Sequence, residues 1–263
     1  MNDKTFDIIE ITADNKQYYP KSLGKQSWME DQWVAHTEMD IPLGQSRYGG
    51  CVIDLPKGVE IPSDMRFAGQ LDLAEVSKCD TQNRLPKTGQ LIFFAAIENG
   101  VGKVIYKNVN NNDLERVIVE HEDNFFSGVL ISGFKSNQEK LSDYYKVPEE
   151  DLECWECGEN IIKCSCQFEG KQEHIESLDF LGLNDEGKNW DDFEGYDKSK
   201  LFGVYTHCQT NAEERIEIME TEIVLLQIGE NGFNDEGVFN VLITEEDLKN
   251  KNFDNCTVEW AQS

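Results

Sequence analysis

Short runs rich in β-branched and aromatic residues recur along the chain. Such runs are typical of β-strands, because these side chains pack well on a pleated, half-buried surface. The pattern predicts strands at residues 6–11, 91–95, 101–106, 116–119, 223–228, 238–243 and 257–260. We therefore expect β-sheet to dominate the fold.

Helical patterns are fewer. They predict helices at residues 27–36 and 137–145, and a short helix after Thr244. Three acidic residues follow Thr244, so that threonine suits the N-cap position and the carboxylates complement the positive end of the helix. We expect this last helix to end at about Asn250.

A loose repeat connects the two halves of the chain. In the first half, an apolar strand containing Gln70 precedes a strand that is led by Gly89. In the second half, a strand containing Gln227 precedes a strand that is led by Gly237. The pattern indicates a duplicated strand motif, although two strand–turn–strand units could also be this similar by chance.

The chain carries a strong excess of negative charge. Its 51 acidic residues outnumber 24 basic residues, for a formal charge of -27. Such a charge repels a phosphate backbone and an anionic membrane surface, so we expect neither nucleic acid nor a membrane as partner. It favours a basic protein as partner, or serves only to keep the protein soluble.

The charge is concentrated in one segment. Residues 149–197 hold 16 acidic residues and three lysines, which gives a charge of -13. This stretch carries nearly half of the net negative charge of the chain, and we interpret it as a separate, cysteine-containing insertion.

The N-terminal residues 1–12 lack the charged and then apolar pattern of a secretion signal, and no apolar run approaches membrane-spanning length. We therefore expect a cytoplasmic protein. In that compartment, eight cysteines are more naturally free thiols or metal ligands than a disulfide framework.

Four cysteines form the sharpest local pattern in the sequence. Cys154, Cys157, Cys164 and Cys166 have the spacing C-x2-C-x6-C-x-C. A Cys-x2-Cys turn followed by glycine directs two sulfurs at one ion, and the second pair completes a tetrahedral set. The pattern predicts a structural Zn²⁺ site without an open position for catalysis. Free thiols on a loop and a redox-active pair are the alternatives.

No catalytic motif accompanies this cluster. The four histidines lack H-E-x-x-H spacing, and the sequence contains no phosphate-binding loop, G-x-G-x-x-G or G-x-S-x-G. We therefore predict no catalytic residues. The remaining cysteines are interpreted as small buried hydrophobic residues, namely Cys51, Cys79, Cys208 and Cys256.

Gln70 and Gln227 are unusual because each places an amide on an otherwise apolar strand. A buried amide needs hydrogen-bond partners. Either these side chains hold buried backbone groups, or they line a cleft between the halves, together with Asp235.

Several short segments, taken in order along the chain, carry a family resemblance. The segments in the first half are SRYGGCVIDLP from Ser46, FAGQLDL from Phe67 and LPKTGQLIFF from Leu85. Those in the second half are LFG from Leu201, LLQI from Leu225, DEGVF from Asp235, and EDL from Glu246 with Phe253. In this order they resemble the YwqG-like family, a bacterial domain of unknown function.

The resemblance covers roughly residues 45–263, with residues 1–44 expected as an N-terminal segment packed on that domain. It implies an α+β fold with extensive antiparallel sheet, few helices and a repeated motif. Several members look similar in carrying a cysteine-rich insertion, which here falls within residues 149–197. The family supplies no activity or catalytic residues.

Three functional hypotheses follow. The first is a non-enzymatic, acidic protein-binding module with a structural zinc loop, in a toxin-neutralising or regulatory role. The second is a small-ligand binder or enzyme that uses a polar cleft between the repeated motifs. In the third, the zinc loop itself is a docking element.

Overall fold

In a computed structural model, the described residues are 4–96, 102–121, 128–141, 154, 156–159, 164–167, 171–172, 198–207, 210, 212–229 and 237–262. Their strands are β1 Thr5–Tyr19, β2 Trp33–Ala35, β3 Arg47–Tyr48, β4 Val52–Pro56, β5 Met65–Asp72, β6 Gln90–Ala96, β7 Gly102–Lys107, β8 Leu114–Ile118, β9 Gly128–Lys140, β10 Lys200–Leu201, β11 Glu222–Ile228, β12 Gly237–Thr244 and β13 Thr257–Gln262. Their helices are α1 Leu73–Val76, α2 Ala212–Thr221 and α3 Glu245–Asn250. Short 3₁₀ turns occupy His36–Glu38, Asn111–Asp113 and Phe253–Asn255.

Each of the seven predicted strands coincides with an observed strand. The exceptions are residue 101, which lies outside the described residues, and Val119, which follows the end of β8. The predicted sheet-rich α+β fold is therefore confirmed. The helix after Thr244 is also confirmed, as α3. Thr244 is its N-cap, because the Thr244 hydroxyl accepts a hydrogen bond from the Asp247 amide at 3.1 Å. That helix ends where Lys251 adopts a left-handed conformation with φ 56°.

The helix predicted at residues 27–36 is wrong. Trp33–Ala35 instead forms β2, which pairs in parallel with the end of β1. Trp33 and Ala35 are buried and pack against Tyr19 and Met29, whereas the residue between them is only partly buried. Burial of every second residue fits a strand and overrides the local helical pattern.

The helix predicted at residues 137–145 is wrong for residues 137–140, which are the last four residues of β9 and pair with the start of β1. Residues 142–145 lie outside the described part of the chain. The strand is favoured by a tertiary contact, since the buried Glu139 carboxylate accepts a hydrogen bond from Lys200 Nζ at 2.6 Å. This ion pair outweighs the helical preference of glutamine, glutamate and lysine.

The main sheet follows the order β13-β12-β11-β10-β1-β9-β3-β5-β6-β7, with β2 attached to β1, while β4 and β8 form a separate two-stranded sheet. The sheet curls until its two end strands meet and is nearly barrel-shaped. A Cβ on Gly102 of β7 would lie 2.5 Å from the Cβ of Val258 on β13. Next to this seam, the rings of Tyr106 and Phe253 are 5.5 Å apart.

The predicted repeat corresponds to two four-stranded halves on either side of the central β1–β9 pair. One half is β3-β5-β6-β7 and the other is β10-β11-β12-β13. Each half begins with a two-residue strand whose basic residue pairs in register with a glutamine, Arg47 with Gln70 and Lys200 with Gln227. Both halves contribute to one apolar core, which includes Phe93 and Phe239.

A buried ion-pair network stabilises the first half. Arg47 and Asp54 have no exposed side-chain surface, and Arg47 Nη2 lies 2.7 Å from Asp54 Oδ2. Arg116 Nε lies 2.7 Å from the other Asp54 oxygen. Burial acts to raise the pKa of Asp54, but the hydrogen bond from Arg116 and the charge of Arg47 hold this pKa below its ordinary value.

We predict that Asp54→Asn lowers the free energy of unfolding by about 3–5 kcal/mol at pH 7, because it leaves Arg47 buried without its carboxylate. A carboxylate with a lowered folded-state pKa stabilises the protein above its unfolded-state pKa and loses that effect as the pH falls through the folded-state pKa. Chemical denaturation should therefore show the difference shrinking below about pH 4.

Asp14→Asn is the matched control, since Asp14 is exposed on the same sheet, and it should change stability by less than about 0.5 kcal/mol. A loss for Asp54→Asn that is small at pH 7, or equally large at strongly acidic pH, would contradict the network described above.

Candidate metal centre

The structure brings the four cysteines of the C-x2-C-x6-C-x-C pattern together. The Sγ atoms of Cys154, Cys157, Cys164 and Cys166 all lie within 4.8 Å of one another. A tetrahedral zinc ion with Zn–S bonds of about 2.3 Å separates its sulfurs by about 3.8 Å. The four sulfurs therefore fit a single tetrahedral ion after small inward movements.

A tight turn positions the first pair. The amides of Cys157 and Gly158 donate to the Cys154 carbonyl at 3.2 and 2.7 Å, and the Cys154 amide donates to the Glu159 carbonyl at 2.7 Å. Gly158 adopts a left-handed φ of 72°, which glycine accommodates without a steric cost. These bonds fold the C-x2-C segment so that both sulfurs face the same side.

A lysine holds the second pair. Lys171 Nζ donates to the carbonyls of Cys164 and Cys166 at 2.9 and 2.8 Å, and to Cys164 Sγ at 3.2 Å. Sequence reasoning missed this residue, because no ligand motif includes a lysine. The available signal was its proximity in sequence, since Lys171 is one of only three lysines in residues 149–197.

The thiols differ in their environment. Cys154 and Cys164 are buried, Cys166 is half-buried and Cys157 is exposed. Burial acts to raise the pKa of Cys154, but hydrogen bonds from the Glu156 and Cys157 amides and from the neighbouring thiols lower it to about 7. Hydrogen bonding to Cys157, with burial, raises the pKa of Cys166 to about 12. Metal binding would therefore release protons from this cluster.

Four sulfur donors are a soft, closed ligand set, which suits Zn²⁺ or iron. Four protein ligands leave no open coordination position for water or substrate, so such a centre stabilises structure. The other described cysteines lie apart from this cluster, and burial raises the pKa of both Cys51 and Cys256 to about 12.

The structure places Gln70 and Gln227 in corresponding positions of the two halves, on β5 and β11, with four strands of the sheet between them. Both side chains are fully buried. Gln70 Oε1 accepts hydrogen bonds from Arg47 Nη2 at 3.0 Å and from the Asp54 amide at 3.3 Å. Its Nε2 donates to Gln90 Oε1 at 2.8 Å.

The Gln227 side chain is also held by hydrogen bonds. Its Oε1 accepts a hydrogen bond from the Thr206 hydroxyl at 2.9 Å, and its Nε2 donates to the Lys198 carbonyl at 2.9 Å. The third cleft candidate, Asp235, lies outside the described residues. The two glutamines therefore connect strands and loops within each half.

An open cavity of about 350 Å³ lies elsewhere on the described surface. Its walls are Asp7, Ile8, Cys79, Thr81, Arg84, Ser136, Asn137 and Gln138. Much of its polar lining is bonded internally. Asp7 accepts from Gln138 Nε2 at 2.7 Å, and Arg84 Nη2 donates to the Asp7 carbonyl at 3.0 Å. Sequence reasoning missed this cavity, because its walls come from three distant segments without a shared motif.

The fold and the site together define a class of protein, namely a curled, sheet-rich α+β domain with a four-cysteine centre. The chain belongs to the family described as a domain of unknown function (DUF1963), whose model matches residues 46–261. That span includes both halves of the sheet and all four cysteines, while β1 precedes it. No curated protein matches the chain. Among the described residues, no helix is long and apolar enough to cross a membrane.

We predict that Gly158→Ala weakens zinc binding. A non-glycine residue in the left-handed conformation costs about 1–2 kcal/mol, equivalent to a roughly 5- to 30-fold loss of affinity. The prediction takes metal binding to require this conformation of the turn and the metal-free loop to relax out of it. Competition with a chromophoric chelator measures the affinity.

Gly24→Ala is the matched control. Gly24 has a similar φ of 69°, and a Cβ at either glycine would meet nothing within 4 Å. This control should lose comparable stability and keep its zinc affinity. Equal zinc affinities for Gly158→Ala and the unmodified protein would contradict the proposed role of the turn.

Proposed function

We propose that this chain is a YwqG-like protein whose four cysteines hold a structural Zn²⁺, and that it acts in the cytoplasm as a non-enzymatic module for binding a basic protein. The observation that carries the proposal is the convergence of four cysteine sulfurs within 4.8 Å of one another. Toxin neutralisation and regulation of a partner are the roles that the family resemblance suggests.

The donor set supports zinc. Thiolates select soft or borderline ions, and tetrahedral four-sulfur sites in proteins hold zinc or iron. Two cysteines are buried, one is half-buried and one is exposed, so the centre is shielded on one side and accessible on the other. Shielding of the sulfurs favours a permanent structural ion.

The negative charge around the four cysteines supports a structural role for the metal. The centre lies in residues 149–197, whose formal charge of -13 opposes compaction of that segment. Zinc would hold residues 154–166 in a closed loop against this repulsion, through its bonds to the four sulfurs. The ion gives the acidic insertion a fixed point on the domain.

The same charge supports a basic protein as the partner. A formal charge of -27 steers a positively charged surface towards the protein over a distance comparable to the Debye length, about 8 Å at physiological salt. Because nearly half of this charge belongs to residues 149–197, the insertion is the favoured contact surface.

A second candidate is a small-ligand function. The cavity of about 350 Å³ between Asp7, Arg84 and Gln138 favours it, because this volume falls within the range of ligand sites. A small ligand would occupy this cavity. The buried glutamines that the sequence pointed to are occupied by internal hydrogen bonds.

We predict about one zinc per chain when the protein is prepared under reducing conditions and measured by elemental analysis. Replacing Cys154 and Cys157 together by serine should abolish the bound metal, because it removes half of the ligand set. The matched control replaces Cys79 and Cys256, which lie outside the cluster, and should retain the ion. Iron in place of zinc, or no metal at all, would contradict the proposal.

We predict that affinity capture from the protein's own cells at low salt yields a basic protein, identified by mass spectrometry and released at high salt. Amide replacement of four acidic residues in the insertion should weaken this capture. Those residues are Asp191, Asp192, Glu194 and Asp197.

A second variant with the same change in net charge provides the control. It carries amides at four exposed positions elsewhere, Asp14, Glu38, Asp40 and Glu115. Equal loss in both variants would mean that only total charge matters. Capture that is insensitive to salt would contradict an electrostatically steered partner.

A further inference from the structure

We propose that Lys171 is a positioning and charge-compensating residue of the cysteine centre, which sets its affinity for zinc and lowers the reactivity of its thiolates. This inference rests on the proposed zinc site. It assigns a role to a side chain that no ligand pattern includes.

The first support is the geometry of the ammonium group. A lysine ammonium has three donors and no acceptor. Three hydrogen bonds join Lys171 Nζ to the C-x-C arm. Their acceptors are the Cys164 and Cys166 carbonyls, at 2.9 and 2.8 Å, and Cys164 Sγ, at 3.2 Å.

The hydrogen bonds described for the two arms restrain them in different ways. The C-x2-C arm is folded by its own amides, because Cys157 and Gly158 donate to the Cys154 carbonyl. For the C-x-C arm, Lys171 provides the corresponding restraint, since one nitrogen holds the backbone on both sides of the intervening residue. Lys171 therefore fixes the direction of the second pair of sulfurs.

The second support is electrostatic. Four thiolates around Zn²⁺ carry a net charge of about -2, within a segment that is already strongly acidic. A charge-assisted hydrogen bond from the ammonium to Cys164 Sγ offsets part of this charge. It withdraws electron density from the sulfur, which makes the bound thiolate a poorer nucleophile towards electrophiles.

Substitutions at this position separate charge from hydrogen bonding. Lys171→Met keeps the length of the side chain and removes both the charge and the donors. Lys171→Gln restores two donors without charge, whereas Lys171→Arg restores the charge with planar donors that cannot converge as the ammonium does. Lys21→Met is the control, because Lys21 is an exposed lysine of the described surface.

The readouts are zinc affinity, by chelator competition, and the rate at which iodoacetamide alkylates the zinc-loaded protein. We expect Lys171→Met to bind zinc about 10- to 100-fold more weakly, as is typical when a residue that supports a metal ligand is lost. Its zinc-loaded form should be alkylated faster. Both Lys171→Gln and Lys171→Arg should fall between Lys171→Met and the unmodified protein.

Circular dichroism and the denaturation midpoint are measured on each variant, because both would change if the substitution altered folding. Faster alkylation of a variant in which both are unchanged distinguishes the proposed role from a merely structural one. If Lys171→Met matches the unmodified protein in both zinc affinity and alkylation rate, the role of Lys171 is overturned while the zinc site stands. If the unmodified protein binds no zinc, the proposed function itself fails.

Discussion

The antiparallel pairing of β1 with β9 is the constraint on which the rest of the structure depends. It places a long ladder at the middle of the sheet, with β10 and one half on one side and β3 and the other half on the other. The buried pair of Glu139 on β9 and Lys200 on β10 lies across β1 and joins these elements. Because β1 precedes the part of the chain that the family model matches, residues outside that match complete the sheet.

Each half begins with a buried basic residue that is paired with a buried carboxylate. A basic residue at the start of the half is buried and needs a carboxylate, which Asp54 supplies to Arg47 and Glu139 supplies to Lys200. A glutamine on the next strand satisfies nearby buried polar groups in both halves. Buried charges of this kind are costly unless they are fully paired, so the two networks constrain which strands can be neighbours.

Seven of the strands and the last helix could be predicted because local pattern and tertiary structure agree there, as at the N-cap Thr244. Prediction was wrong at residues 27–36 and 137–140, where long-range contacts of Trp33 and Glu139 decide the conformation. The clustering of the four cysteines could be predicted from spacing alone, because they are close in sequence. The contact of Lys171 with the cluster could not be predicted, since a side-chain hydrogen bond leaves no periodic signal in the sequence. The cavity around Arg84 could not be predicted either, because its walls come from distant segments.

X-ray absorption at the zinc edge is the most direct test of the proposed four-thiolate zinc site. We expect four sulfur neighbours at about 2.3 Å and no nitrogen or oxygen ligand. A first shell that contains nitrogen or oxygen, or fewer than four sulfurs, would contradict a closed structural centre formed by Cys154, Cys157, Cys164 and Cys166.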